Sequence, residues 1–236
     1  MHSDDPSTSS NQVNKLLDRA LTIVLIVVAL IVGAGALRGP RPPKPPNLVK
    51  EAQNSKAFAE WRSIDSAGYI LAGLPNAPVS ITVFADVQCP ACRGFHRTIH
   101  AVLEKHPNDV KVVYVSLPIQ YHEYAMPGAR ATDCMARAGG NVRKWFDAIY
   151  EKQDSLAVLS WATFARLSEV VDTAAITNCA SGKDSVAVGA VRRGEAWAAQ
   201  LEASATPTVL VNGHKLIKPP TAEQLDTLIR VFSKAS

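Results

Sequence analysis

The chain has 236 residues and a formal net charge of +4, with 47% apolar and 19% charged residues. That length suits one globular domain with appendages, or at most two small domains. Lys and Arg are scattered without a run of five, so no nucleic-acid footprint is indicated.

Residues 1–19 form a short N-terminal tail. From Ala20 to Leu37 the chain carries no charge. As a helix, that run would extend about 27 Å, close to the roughly 30 Å hydrocarbon core of a bilayer. It is read as one N-terminal transmembrane helix, residues 20–37, that anchors the protein in the lipid bilayer. Gly33-Ala34-Gly35-Ala36 would suit a signal-peptide cleavage site, although the run is longer than such peptides need; a buried core helix is the third reading. Lys15 and Arg19 flank one end, and Arg38, Arg41 and Lys44 the other. Counted by the positive-inside rule, these flanks favour a cytoplasmic domain. The chemistry downstream outweighs that count and puts the domain on the extracytoplasmic side of the cytoplasmic membrane, in the periplasm. Residues 38–47 are a Pro-rich linker, either a semi-rigid spacer or unstructured.

The soluble part begins with a helical stretch expected over 48–72, with Phe58, Trp61 and Ile64 on one face. Asn76-Ala77-Pro78 makes a turn, and Val79–Phe84 alternates as a strand. A helix is expected from Ala91 to about Lys105 and a second strand over Val110–Val115, which completes a β-α-β unit with parallel strands. A helical insertion then occupies about 121–204, where Ser160 and Asp172 are placed to cap helices. Thr208–Val211 and His214–Ile217 flank Asn212-Gly213, a strong hairpin signal. Thr221 and Gln224 form a capping box for the last helix. The resulting order, β-α-β, helices, β-β-α, is an α/β, thioredoxin-like fold with a helical insertion.

The chemistry concentrates at Cys89-Pro90-Ala91-Cys92. Cys89 stands where a strand passes into a helix, and Pro90 suits the first turn because its missing N–H had no partner there. The unpaired amides and positive dipole end at that point favour a thiolate. Cys89 is expected to be exposed and to attack first, with Cys92, one turn inside, resolving the mixed disulfide. An inert disulfide is the bland alternative. Cys92, His96 and His100 also lie at spacings that resemble zinc ligands, but they drift along a continuous helix. The two histidines are therefore read as solvated, and neither metal nor cofactor is called for. Pro207 heads a strand, in Thr206-Pro207-Thr208. Asp86, three residues before Cys89, would raise the thiol pKa or relay a proton, or serve as a turn residue bonding its own backbone. The turn is preferred. His122 is a groove or surface residue.

These segments resemble the membrane-anchored or secreted DsbA-like thioredoxin proteins over roughly residues 52–236. The likeness rests on Phe84-Ala85-Asp86-Val87-Gln88-Cys89-Pro90-Ala91-Cys92, on Leu117-Pro118 with His122, on Lys144–Tyr150, and on Thr206-Pro207-Thr208 with Val211-Asn212-Gly213. It implies a protein thiol-disulfide oxidoreductase acting on exported proteins with thiols, recycled by a membrane-bound or soluble redox partner. Cys89 would be the nucleophile and Cys92 the resolving thiol, with Pro90, Ala91, Thr206 and a cis Pro207 lining the substrate groove. Similar proteins often join two inserted helices by a disulfide, which makes Cys134 and Cys179 candidates for a structural bond; two free thiols or a second redox pair are the alternatives. The best-known members carry Pro-His between the cysteines. Ala91 departs from that pattern and suggests a less oxidising centre. Disulfide formation is the leading activity, and a reductase, an isomerase or a non-catalytic tethered binding domain are the alternatives.

Overall fold

A computed structural model describes residues 16–17, 19–30, 47–170 and 173–234, which divide into a unit within residues 1–46 and a unit from 47 onward. In the first unit, residues 16–17 and 19–30 are helical with exposed side chains. Among the described residues, no helix is long and apolar enough to cross a membrane. The expected anchor, 20–37, runs on into residues 31–37, which lie outside the described ones, as does the linker up to residue 46.

The second unit opens with two short helices, α1 (Leu48–Asn54) and α2 (Trp61–Ala67), and then the strand β1 (Tyr69–Ala72). The single helical stretch expected over 48–72 is therefore corrected. Gly68 ends α2, and a Cβ there would collide with Val113. Tyr69 and Ile70 instead pair with Tyr114 and Val113 at the sheet edge. β2 (Val79–Ala85), α3 (Pro90–Lys105) and β3 (Val110–Ser116) form the β-α-β unit, with β2 and β3 parallel.

The inserted helices are α4 (Ala125–Arg137), α5 (Val142–Glu151), α6 (Trp161–Leu167), α7 (Ala174–Ala180) and α8 (Ser185–Gln200). Ser160 caps α6 through its hydroxyl to the Thr163 amide. The expected cap Asp172 lies outside the described residues. The chain ends with β4 (Thr208–Val211), β5 (His214–Lys215) and α9 (Ala222–Ser233), the last opened by the Thr221–Gln224 capping box. Asn212 and Gly213 turn the hairpin with φ of 46° and 84°, backbone angles that favour Asn and Gly. Its second strand stops at Lys215 rather than Ile217, shortly before Pro219-Pro220, which have no N–H to give a ladder.

The sheet order is β1-β3-β2-β4-β5. Strand β2 lies near the middle, and all of its residues are buried. Side chains alternate across a strand, so Ile81, Val83 and Ala85 pack into one core with Phe95 and Ile99 of α3 and Leu225, Leu228 and Ile229 of α9. Phe84 faces the opposite way, into a second core with Ile64 of α2 and Ala198 of α8. Burial on both faces fixes the end of β2, and with it the position of the cysteines that follow.

Candidate active site

The chain leaves β2 through a loop held by hydrogen bonds both within itself and from distant residues. The Cys89 amide donates to the Asp86 carbonyl at 3.2 Å, and the Gln88 amide donates to Asp86 Oδ1 at 2.7 Å. Gln153 Nε2 donates to the carbonyls of Val87 and Cys89, at 2.9 and 3.0 Å. Gln88 Oε1 accepts from the Tyr124 amide. Residues just before one inserted helix and just after another thus clamp the loop from outside.

Cys89 is the N-cap of α3, and Pro90 opens its first turn. Pro90 and Ala91 are exposed beside it. The Thr206–Pro207 peptide is cis, with Pro207 buried and the Thr206 carbonyl 3.4 Å from Cys89 Sγ. The two chain segments singled out in the sequence, 117 residues apart, therefore meet. Cys92 Sγ faces inward and accepts from the Asp86 amide at 3.5 Å.

Both thiols are reduced. Cys89 is 7% exposed and Cys92 2%. The expectation of an open Cys89 is corrected, because the segment carrying Thr206 lies against its sulfur. The electrostatics nevertheless separate the pair. The Cys89 thiol is lowered to about 5, chiefly by the hydrogen bond from Cys92; burial opposes this, and the Thr206 hydroxyl and the Cys92 and Ala91 amides add to the lowering. Burial and the adjacent Cys89 hold the Cys92 thiol far above its ordinary value. One sulfur is an anion at neutral pH while its neighbour keeps its proton.

The sequence matches the thioredoxin family over residues 65–230. The chain belongs to the thioredoxin family. Among solved structures, the thioredoxin domain is similar to BdbD from Bacillus subtilis in its oxidised form (TM-score 0.62, 17% identity, covering 72% of this chain and 94% of that one). It is also similar to a thioredoxin-like oxidoreductase from Silicibacter pomeroyi (TM-score 0.61, 22% identity, 76% and 100% covered). A third is DsbA2 of Pseudomonas aeruginosa (TM-score 0.53, 25% identity, 69% and 93% covered). No curated protein matches the chain in sequence.

Several residues of this thioredoxin domain stand differently from the sequence expectation. Asp86 is a turn residue through its bond to the Gln88 amide, but it is also buried, and its Oδ2 accepts from the Ile119 amide at 2.8 Å and from His122 Nδ1 at 2.7 Å. His122 thereby ties the loop after β3 to the active-site loop. Tyr150 and Gln153, which sequence reasoning did not single out as site residues, reach the same loop; the Tyr150 hydroxyl donates to the Asp86 carbonyl at 3.3 Å. The likeness of the segment Lys144–Tyr150 to other family members pointed toward Tyr150 alone; nothing local marks Gln153.

Cys134 and Cys179 are joined by a disulfide between α4 and α7, with Cα atoms 6.3 Å apart. His96 is not solvated: it is 4% exposed, with Nδ1 2.9 Å from the Tyr114 hydroxyl and Nε2 2.7 Å from Asp147 Oδ1. It lies on the same buried face of α3 as Cys92, Phe95 and Ile99, which is why it could not point to water. Burial lowers its pKa, so the ring stays neutral.

Proposed function

We propose that this chain is a DsbA-like thiol-disulfide oxidoreductase that forms disulfides in exported proteins through Cys89 and Cys92. In the oxidised centre the two sulfurs are bonded. A substrate thiolate attacks Cys89 Sγ, a substrate–Cys89 disulfide forms, and the electron pair leaves on Cys92, which takes up a proton. A second substrate thiolate then attacks the substrate sulfur, and Cys89 departs as a thiolate. The substrate has lost two electrons and gained a disulfide; the centre has gained both and becomes the dithiol. A redox partner of matching chemistry must remove them again.

The observation that carries this reading is the split pair. A thiol near pKa 5 is a good leaving group, so the second step runs toward release of oxidised substrate. Cys92, shielded and protonated, does not compete at neutral pH. Exposed Pro90 and Ala91, with Thr206 beside the sulfur, supply the surface a substrate peptide would meet.

Equilibration with glutathione buffers gives the reduction potential of the Cys89–Cys92 pair. Oxidants of this type stand near about −120 mV and thioredoxin near about −270 mV. Each pKa unit is worth about 1.4 kcal/mol, or about 30 mV for this couple. A thiol about two units below that of thioredoxin, near 7, therefore predicts a potential near about −210 mV. A value at or below that of thioredoxin sinks the oxidase reading and leaves a reductase.

The tether is part of the same proposal. The uncharged run 20–37 would hold the domain at the cytoplasmic membrane, facing the extracytoplasmic side, where exported thiols are found. Alkaline carbonate washing of membranes is expected to retain the full chain and to release one lacking residues 20–37. Release of both would remove the anchor from the proposal.

A further inference from the structure

The buried histidine lies at the edge of a second cluster that the dithiol chemistry does not use. His96 and His100 stand one turn apart on α3, and Asp147 comes from α5. His96 Nε2 and His100 Nε2 each lie 2.7 Å from Asp147 Oδ1 and 3.1 Å from each other. Three donor atoms from two different elements converge on one point. Cys92, His96 and His100 drift along one helix and converge poorly; Asp147, 47 residues beyond His100, completes the group instead.

We propose that His96, His100 and Asp147 form a binding site for a divalent ion of the zinc class. Two nitrogens and one carboxylate oxygen are a donor set zinc accepts, with bonds of about 2.0–2.2 Å. In a tetrahedron with such bonds, ligand atoms stand about 3.3–3.5 Å apart, so the two 2.7 Å edges to Asp147 must open by about 0.6–0.8 Å and the 3.1 Å His–His edge by about 0.2–0.4 Å. The side chains of His100 and Asp147 are 27% and 38% exposed and can move by that much. The fourth position faces a cavity of about 600 Å³ between α3 and α5, lined also by Glu151 and Tyr150. Water or a small ligand can complete the coordination there. The Tyr114 hydroxyl on His96 Nδ1 supplies the outer hydrogen bond that orients a metal-binding imidazole.

The hydrogen bonds show what an ion would replace. Arg143 Nη2 donates to His100 Nδ1 at 3.0 Å, so His100 carries its proton on Nε2 and gives it to Asp147. An ion at Nε2 requires that proton to move to Nδ1 and Arg143 to withdraw, which its 42% exposed side chain permits. Arg93 and Arg97 also line the cavity and oppose a cation, although Arg93 is paired with Asp154. Arg143 is thus a competitor of the ion, and its removal should tighten binding. The bound ion would bridge the active-site helix to the inserted helices.

The test is calorimetric titration of untagged full chain in mild detergent with Zn²⁺, in a Cys89→Ser/Cys92→Ser background so that the dithiol cannot hold the metal. One ion per chain is expected. His100→Gln and Asp147→Asn should each weaken binding by about tenfold or more, and Arg143→Gln should strengthen it. Co²⁺ in the same protein should show four-coordinate absorption without a thiolate band. No binding, or unchanged affinity in both His100→Gln and Asp147→Asn, overturns the site. Because the background lacks both redox thiols, either outcome is independent of the oxidoreductase reading.

Discussion

Replacing Cys92 by Ala separates two physical accounts of the Cys89 thiolate. Sequence reasoning assigned the stabilisation to amides at the start of α3. In the folded chain the largest contribution comes from the Cys92 thiol, ahead of the Thr206 hydroxyl and the Cys92 and Ala91 amides. A hydrogen bond to a charged group is worth about 1.5–3 kcal/mol, and one pKa unit is about 1.4 kcal/mol. Cys92→Ala should therefore raise the Cys89 pKa from about 5 by about one to two units. It should stay below that of a free thiol, because Thr206 and the amides remain. Cys92→Ser keeps a donor in place and should shift it less. The pH dependence of alkylation by iodoacetamide, or of thiolate ultraviolet absorbance, reads the value directly. If Cys92→Ala still titrates near 5, the amides are sufficient and the inward thiol is a bystander.

The stability of the reduced protein should depend on pH in a defined direction. The Cys89 pKa falls from 9.0 to about 5 on folding, so its contribution is complete above about pH 9 and is lost as pH falls through about 5. Between pH 5 and 7 the reduced protein should gain about 2.3 kcal/mol relative to a Cys89→Ser variant, because the thiol is already half ionised at pH 5; urea denaturation of the two at both pH values measures it, and an equal gap at both refutes the thiolate. The Cys134–Cys179 bond closes a separation of 45 residues, for which the chain-entropy relation gives about 4 kcal/mol. A Cys134→Ala/Cys179→Ala double variant should lose stability on that order while its Cys89 pKa stays unchanged; a shifted pKa would mean that the bond shapes the redox centre as well.

The β-α-β unit, the hairpin and the reactive centre were legible because each depends on residues close together in sequence. Val79–Phe84 alternates, Pro90 marks a helix start, and Asn212-Gly213 permits only a tight turn. β1 was not legible: four residues following a helical pattern gain strand character only by pairing with β3. His96 was misread for a related reason. Its helical spacing is the same whether the face meets water or Tyr114, and the choice is made by α5, which brings Asp147 from 51 residues away. Asp86 was read correctly as a turn residue, yet its bond to His122 belongs to tertiary packing and left no local trace.

The same distinction bears on the direction of electron flow. Ala91 in place of an imidazole suggests a less oxidising centre, since a donor to the thiolate is missing between the cysteines. The donors are supplied from elsewhere: Cys92 from one turn inside, and Thr206 from the segment leading into β4. A thiolate has no preference for which donor approaches it, only for how many do so and how little water competes. With Cys89 largely covered, each donor acts in a medium of lower dielectric than water and counts for more. Stabilising the thiolate stabilises the reduced pair, which makes its disulfide the stronger oxidant. The residue between the cysteines thus sets one contribution among several, and its loss does not by itself turn an oxidase into a reductase.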